Sequence, residues 1–218
     1  MNPENTKALI RTLRQVLADG DWSEILPIFR GLIAHSVSVR LCHLFGMQNG
    51  ADAYFASCLN PLQTDMPDLE RRDMIVLAGE TPEGSYWAGC IGNYIGTFVN
   101  PFLGIPPTGH LAHMRYHDFF QIEDRVVVEF QAIWDIPELM MQARAWPMAP
   151  PLGAHMCTPA TMTGDGLTAS VNGAATQAHV IAMLEGLYRQ VGLDVLARIN
   201  EFNKARNLGP ISVPTGLG

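Results

Sequence analysis

Residues 98–153 constrain the fold more than any other stretch, because they combine a rigid turn with two β-prone runs and a helix-like end. Paired prolines between two glycines occupy 104–109. Proline fixes φ and lacks an N–H donor, and glycine accepts positive φ, so this segment is a loop. A strand is predicted from His113 to a reversal at 123–125, and the valines that begin at Val126 favour a second strand after it. We therefore predict an antiparallel strand pair that is closed by a helix.

The chain before this stretch has the element order of an α+β protein. Apolar residues recur at helical spacing over 4–19 and again over 22–29, which predicts two opening helices. Strand-like runs follow at 72–78 and 85–98. Glycine inside a strand often marks a bend or a bulge, and the second run contains glycine at positions 89, 92 and 96. This order predicts a curved, mostly antiparallel sheet with helices packed on it.

The composition changes near the end of the chain, which predicts three parts: a main domain at 1–153, a linker at 154–173 and a helical extension at 174–218. Within the extension, helical spacing covers 174–189, and further helix is consistent with the residues at 193–205. The extension is patterned like the opening helices, as an incomplete second repeat would be. Any two amphipathic helices also look alike, so both interpretations stay open.

Charge and composition exclude several functional classes. An apolar fraction of 48% and a charged fraction of 16% argue against disorder. The formal net charge of −7 argues against a nucleic-acid partner, which requires a clustered basic face. The basic pair Arg71-Arg72 is bracketed by Glu70 and Asp73, and we predict that it lies in a solvated turn. We find no signal peptide and no apolar stretch long enough to span a membrane, so we expect a cytoplasmic protein without membrane contact.

The sequence gives no sign of a metal or a cofactor. The four cysteines are irregularly spaced and form no CxxC pair. His113 and His117 would be neighbours on a helix, but on a strand they lie about 13 Å apart, too far to hold one metal. The glycine-rich segments match no nucleotide-binding pattern. We therefore predict neither a metal nor a cofactor.

Four motifs together resemble those of the SnoaL-like polyketide cyclases, also called the ester cyclase family: LGIPPTG, IEDRVVVEF, IWDIPELMMQ and WPMAPPLG. The resemblance covers residues 8–153 and is strongest over 96–153. It implies the cone-shaped α+β fold of nuclear-transport-factor-2-like proteins. It also implies acid–base, aldol-type chemistry without a cofactor on a small hydrophobic carbonyl compound in an apolar pocket. The alternatives are a small-molecule binder without catalysis and a hydrolase or dehydratase that shares the pocket.

Asp135 is the first candidate for catalysis. It matches the aspartate that the resemblance gives as general acid/base, in the pattern D-x-x-x-L-x-x-Q. A carboxylate in an apolar pocket has a raised pKa and can exchange a carbon-bound proton near neutral pH. The alternative is a helix N-cap, because a Pro at an early helical position follows it. Strand alternation predicts a mixed face that lines the pocket, formed by Val127, Glu129, Gln131, Ile133 and Asp135.

The opposite face of the same strand is wholly apolar: Val126, Val128, Phe130, Ala132 and Trp134. Such a face must be covered, by core or by another subunit, and we predict that it pairs with its copy in a homodimer.

His117 is the second catalytic candidate, either as a hydrogen-bonding partner of the substrate or as the residue that orients Asp135. A buried histidine with satisfied hydrogen bonds is the alternative. Asn93 stands where the resemblance implies a histidine, and Arg125 and Arg144 stand where it implies glycine. The remaining candidates for substrate binding are Asn93, Tyr94, Arg115, Phe119, Glu129, Gln131 and Trp134.

Overall fold

The computed structural model describes residues 3–19, 22–149, 158–160, 162, 167 and 173–206. The chain divides into two compact units, Met1–Ala169 and Ser170–Gly218, and each is described by itself.

The first unit opens with two helices, as predicted, and strands and short helices follow them. Its helices are α1 (Pro3–Asp19), α2 (Trp22–Leu32), α3 (Ala51–Tyr54), α4 (Asn60–Asp65) and α5 (Ile136–Gln142), and a π-helical segment, Phe55–Leu59, joins α3 to α4. Its strands are β1 (Ile33–Leu41), β2 (Met47–Asn49), β3 (Glu70–Glu80), β4 (Tyr86–Thr97), β5 (Leu111–Glu123) and β6 (Val126–Trp134).

The strands form one six-stranded sheet in the order β2-β1-β6-β5-β4-β3. Every neighbouring pair is antiparallel except β1 and β6, which are parallel. The α+β class and the mostly antiparallel sheet are thereby confirmed. The predicted reversal between β5 and β6 is also confirmed, and it places Arg125 at a φ of 67°. Arg144 has a φ of 56°, so both arginines occupy left-handed positions that favour glycine.

The core lies on the face of the sheet to which the even-numbered residues of β4 and β5 point. On β6, this inner face carries Phe130, Ala132 and Trp134, all of them buried. The ring of Phe130 stacks on Phe120, with centroids 4.7 Å apart. Trp134 lies edge-on to Tyr94 at 5.4 Å. The inner side of the sheet is therefore built from aromatic side chains.

The prediction for the two faces of β6 is wrong. The protein's own core covers Phe130, Ala132 and Trp134 of the apolar face, whereas Val126 and Val128 are half-buried. The mixed face with Gln131 and Ile133 is the outer one, where Ile133 is 60% exposed. A register shift between Val127 and Glu129 also breaks the alternation and turns Val127 inward. The argument for a homodimer from the apolar face therefore fails, although the homodimer itself stays a prediction.

The second unit contains one long helix, α6 (Gly173–Ala205). The two helical segments expected at 174–189 and 193–205 are a single unbroken helix, because Gly186 and Gly192 do not interrupt it. Most of the predicted linker at 154–173 lies outside the described residues. Within the described part of the chain, no helix has the length and apolar character that crossing a membrane requires.

Candidate functional site

Four charged side chains meet on the inner face of the sheet, where apolar residues would be expected. Arg71 on β3 and Asp118 on β5 are 2% and 0% exposed. Asp73, two residues after Arg71, and Arg14 of α1 join them, with side chains 6% and 16% exposed. We call Arg14, Arg71, Asp73 and Asp118, with the tyrosines that contact Arg71, the interior cluster.

The prediction that Arg71 lies in a solvated turn is wrong. Residues 71 and 72 fall on strand β3, so their side chains point to opposite faces of the sheet. Arg72 points outward and forms an exposed ion pair with Glu70 at 2.7 Å. Arg71 points inward and must find its partners in the core.

Asp73 is a fully engaged carboxylate. One oxygen, Oδ2, accepts from Nε of Arg14 at 2.6 Å. The other, Oδ1, accepts from the hydroxyl of Tyr116 at 2.6 Å and from two nitrogens of Arg71 at 3.3 Å each. With four donors on two oxygens, Asp73 holds Arg14, Arg71 and Tyr116 in place, and we assign it a structural role.

Asp118 differs from Asp73 because one of its oxygens has no partner. Oδ2 accepts from Nη1 of Arg71, whereas the buried Oδ1 accepts no hydrogen bond from any described residue. The indole nitrogen of Trp134 is also buried without a partner of good geometry, and it is the donor that acts on the Asp118 carboxyl beside Arg71. Burial raises the pKa of the Asp118 carboxyl, and the guanidinium of Arg71 and the indole N–H of Trp134 oppose that rise. Asp118 is therefore a buried carboxylate with one incompletely satisfied oxygen and a proton affinity above the ordinary one.

Two tyrosines complete the interior cluster around Arg71. The guanidinium lies over the ring of Tyr116, 3.9 Å from its centroid, and Nη1 donates to the hydroxyl of Tyr94 at 3.3 Å. Burial raises the pKa of both phenols, so both are neutral near pH 7. Since Tyr94 accepts from Arg71, its own hydroxyl proton is not used in that contact and can be donated to a ligand.

Gly92 makes room for the hydroxyl of Tyr116 between β3 and β5. A Cβ atom at this position would lie 2.1 Å from the carbonyl oxygen of Arg72 and 2.3 Å from the Tyr116 hydroxyl oxygen. We expect Gly92→Ala to lower the free energy of unfolding by about 3 kcal/mol, because backbone and a hydrogen-bonded phenol must both move. Gly79→Ala is the matched control on β3, since nothing lies within 4 Å of its Cβ position. Urea unfolding of both variants measures the difference, and equal losses would contradict this role of Gly92.

The structure separates the predicted substrate-binding residues into two groups. Tyr94 and Trp134 point to the inner face beside Asp118, as a role in the interior requires. Alternation with buried neighbours places Arg115, Phe119, Glu129 and Gln131 on the outer side of the sheet, together with the catalytic candidate His117. Asn93 pairs with Arg72 and Arg115 and therefore lies on that side too, but it is only 2% exposed and its Oδ1 has no hydrogen-bond partner among the described residues. Of the predicted substrate-binding residues, only Tyr94 and Trp134 can therefore contact a ligand in the interior.

The outer residues have contacts of their own. Gln131 donates to Glu129 at 2.7 Å, and Glu129 also lies 3.5 Å from Nε of Arg40. The amide nitrogen of Asn93 contacts the sulfur of Met74 at 3.3 Å. His117 pairs across the sheet with Ile91 and Ile133. These contacts link the outer residues to their neighbours on the sheet. None of these contacts is with a residue of the interior cluster.

Asp135 caps helix α5, which is the alternative role that the sequence allowed. Its Oδ1 accepts from the backbone N–H of Glu138 at 3.0 Å. Glu138 in turn accepts from the backbone N–H of Arg115 at 3.1 Å, and Gln142 binds both the N–H and the carbonyl of His113 at 3.0 and 2.6 Å. The strand β6 ends at Trp134 opposite Tyr116, so these side chains satisfy the edge of β5 beyond that point. The pattern D-x-x-x-L-x-x-Q therefore has a complete structural explanation, and the catalytic role of Asp135 stays a prediction.

An open cavity of about 860 Å³ lies at one end of the inner face. The N-terminal half of α1, the β3–β4 turn and the β5–β6 hairpin form its walls. Ile122 belongs to this lining and is the last member of the inner row Tyr116, Asp118, Phe120 and Ile122 on β5. Strand β5 therefore carries both Asp118 of the interior cluster and Ile122 of the cavity lining. Its lining contains none of the site residues that the sequence predicted.

The two buried thiols among the described residues offer no second site. Cys58 and Cys90 are buried free thiols, and burial raises the pKa of Cys90 to about 12. Such thiols are protonated and unreactive at neutral pH. Among the described residues, no group of three or more His, Cys, Asp or Glu is placed to hold a metal ion.

The fold is similar to that of several solved structures. AclR, a proposed hydroxylase from Streptomyces galilaeus, is 18% identical, with a TM-score of 0.55 over 67% of this chain and 89% of that one. A proposed polyketide cyclase from Xanthomonas campestris pv. campestris is 19% identical, with a TM-score of 0.50 over 64% and 97%. A proposed SnoaL-like polyketide cyclase from Jannaschia sp. CCS1 is 23% identical, with a TM-score of 0.49 over 67% of this chain and 96% of that one. No protein-family model and no curated protein matches the sequence.

These neighbours define the class of fold. The first unit shares its α+β fold with AclR and with the Xanthomonas protein, in agreement with the fold that the sequence motifs predicted. The second of these is a proposed polyketide cyclase, so the neighbours agree with the resemblance read from those motifs. At these identities the likeness shows the fold alone, and the reaction must be argued from the site.

Proposed function

We propose that this protein binds a small hydrophobic carbonyl compound in the interior of the cone and carries out acid–base chemistry of the polyketide cyclase type on it, with Asp118 as the proton-transferring group. One observation carries the proposal: the buried Oδ1 of Asp118 accepts no hydrogen bond of good geometry from the described residues, although the indole N–H of Trp134 acts on this carboxyl, and Asp118 lies among aromatic side chains. A buried polar atom without a partner is costly in a core, and a ligand at this position would supply the missing contact.

The groups around Asp118 suit an intramolecular aldol ring closure. The Asp118 carboxylate takes a proton from a carbon next to one carbonyl, and the electron pair of that C–H bond forms an enolate. The enolate carbon then attacks a second carbonyl of the same molecule, a C–C bond forms, and the resulting alkoxide takes the proton back. Arg71 and the hydroxyl of Tyr94 supply positive charge and a hydrogen-bond donor for the oxyanions. The raised pKa of Asp118 makes its carboxylate a stronger base than an exposed one.

Entry of the substrate requires a change in the interior, because Asp118 is fully buried. The open cavity gives a route along the inner face of β5. Only Phe120 stands between Asp118 and the cavity residue Ile122 along the inner face of β5. We infer that a bound substrate occupies the cavity and displaces the ring of Phe120 to reach Asp118.

A second candidate is a small-molecule binder without catalysis. The cavity favours it, because the residues of its walls do not include Asp118 or Arg71. A ligand that stays in the cavity would bind equally well to a variant without the Asp118 carboxylate. A hydrolase or dehydratase would use the same carboxylate and would differ in its products. The absence of a cofactor, the cytoplasmic location and the catalytic role of His117 stay predictions.

Proton exchange at carbon tests this function without knowledge of the natural substrate. Compounds that co-purify with the protein, together with a series of aromatic 1,3-diketones, are incubated with it in D₂O and followed by proton NMR. The proposal predicts that a compound that binds loses its C–H signal next to the carbonyl faster with the wild type than with Asp118→Asn. Binding without any exchange above the uncatalysed rate would contradict the enzyme and favour the binder.

A further inference from the structure

Helix α6 exposes an apolar stripe along most of its length, interrupted at one position by Arg198. The members of the stripe are between 39% and 56% exposed: Val180, Leu184, Leu187, Val191, Val195 and Phe202. They fall on one side of the helix, because successive members are spaced by three, four or seven residues. From Val180 to Phe202 the stripe spans about 33 Å at 1.5 Å per residue. A long helix with such a stripe is stabilised chiefly by packing against another apolar surface.

The spacing of the stripe is the same in both directions from its centre. Counting down from Val191, the members follow after four, three and four residues, at 187, 184 and 180. Counting up, the same steps lead to 195, 198 and 202. The distance from Val180 to Val191 and from Val191 to Phe202 is eleven residues, a repeat that keeps the stripe close to straight along the helix axis. A stripe of this symmetry is complementary to itself when two helices run in opposite directions.

We propose that α6 is a self-association helix, and that two copies of this chain pair through it in antiparallel orientation around a two-fold axis at Val191. Leu187 of each copy then packs beside Val195 of the other, and Val180 beside Phe202. A contact of this kind is isologous, so one surface serves both copies.

The charges of α6 favour this arrangement over a parallel one. Arg198 is the one charged residue at a position of the stripe, and in an antiparallel pair it lies opposite Leu184 of the second copy. Its aliphatic stem can cover Leu184 while its guanidinium stays in water. A parallel pair in register would place Arg198 against Arg198. The helix contains three acidic and three basic residues, so two copies can approach without the repulsion expected from a chain of net charge −7.

Two substitutions on opposite sides of the helix test the stripe. Val191 and Leu193 are 50% and 53% exposed, and they lie on opposite faces because they are two residues apart. Multi-angle light scattering of the full chain at micromolar concentration should give twice the monomer mass of 23.9 kDa. Val191→Glu, which places two carboxylates at the two-fold axis, should weaken the dimer at least tenfold, whereas Leu193→Glu should leave its mass unchanged.

Each other result overturns the proposal. A monomeric wild type would show that the stripe binds no second copy. A dimer that survives Val191→Glu would be held by another surface, and equal weakening by both variants would exclude the stripe as the specific contact. Far-UV circular dichroism shows whether α6 remains folded in each variant.

Disulfide trapping tests the antiparallel orientation. In chains that carry Cys157→Ser, the variants Val180→Cys and Phe202→Cys are oxidised separately and as a mixture. The proposal predicts that the mixture forms a disulfide between positions 180 and 202, assigned by peptide mass spectrometry, and that neither variant alone forms one at its new cysteine. Efficient 180–180 or 202–202 disulfides would show a parallel pair and would overturn the proposed geometry.

Discussion

Replacing Arg71 by methionine should lower the free energy of unfolding by about 3–5 kcal/mol, because it leaves carboxylates buried without their cation. Asp118 depends on this residue most, since Arg71 is its hydrogen-bonding partner and Asp73 retains Arg14. Arg72→Met is the matched control one residue away. Arg72 is exposed, with 63% of its side chain accessible, and its loss should cost no more than about 0.5 kcal/mol. Equal effects of the two substitutions, measured by urea unfolding, would contradict the interior cluster.

The loss in the free energy of unfolding of Arg71→Met should also depend on pH. Burial raises the pKa of Asp118 and Arg71 lowers it, so removing Arg71 raises the pKa further. A carboxyl with a raised pKa in the folded state binds its proton more tightly there than in the unfolded chain. The stabilisation of the folded state that this tighter proton binding provides is therefore complete below the ordinary pKa of about 4. It is lost as the pH rises through the folded-state pKa. The deficit of Arg71→Met should shrink as the pH falls, and the added change Asp118→Asn should recover part of it at neutral pH.

Asp118→Asn should reduce turnover by about 10²–10⁴-fold, the usual contribution of a general acid–base group. The amide keeps the shape of the side chain and can still accept from Arg71, so the fold should be retained. Because burial raises the pKa of Asp118, its ionised form is disfavoured in the folded state, and the neutral amide with its retained contact to Arg71 and with Asp73 still beside that arginine should change the resistance to urea at pH 7 little. Turnover, urea unfolding and ligand binding measured on one preparation separate a lost catalyst from a lost fold. A variant that turns over at the wild-type rate would remove Asp118 from the mechanism.

The architecture of the first unit was predictable because local patterns and motifs agree with it. The opening helices follow from apolar spacing, and the reversal at Arg125 follows from the two valine-rich and aromatic runs that flank it. The core face of β6 was not predictable in the same way. The rule of alternating faces gave two faces but not which one is inner, and the register shift beside Val127 moves one residue to the other side.

The site was harder to predict because its partners are distant in sequence. Arg71 and Asp118 are 47 residues apart, and neither belongs to a motif that marks it as part of a pair. One signal was present in the sequence. On the predicted strand β5, Asp118 shares its face with Tyr116, Phe120 and Ile122, and a lone carboxylate in an aromatic and aliphatic row has to be paired or functional. The conspicuous Asp135 was favoured instead, although a helix cap before a proline explains it.

The most direct test of this account compares the two aspartates in one assay. Asp118→Asn and Asp135→Asn are each tested for proton exchange in D₂O, with the compound that binds the wild type best, and ligand binding and unfolding are measured in parallel. The account predicts that Asp118→Asn loses exchange by at least about a hundredfold while binding is retained. It predicts that Asp135→Asn loses little stability, because asparagine caps a helix about as well as aspartate and its side-chain oxygen can accept from Glu138, and that this variant exchanges within a few-fold of the wild type. Exchange abolished in Asp135→Asn and preserved in Asp118→Asn would contradict the account and return catalysis to the residue that the sequence motif indicated.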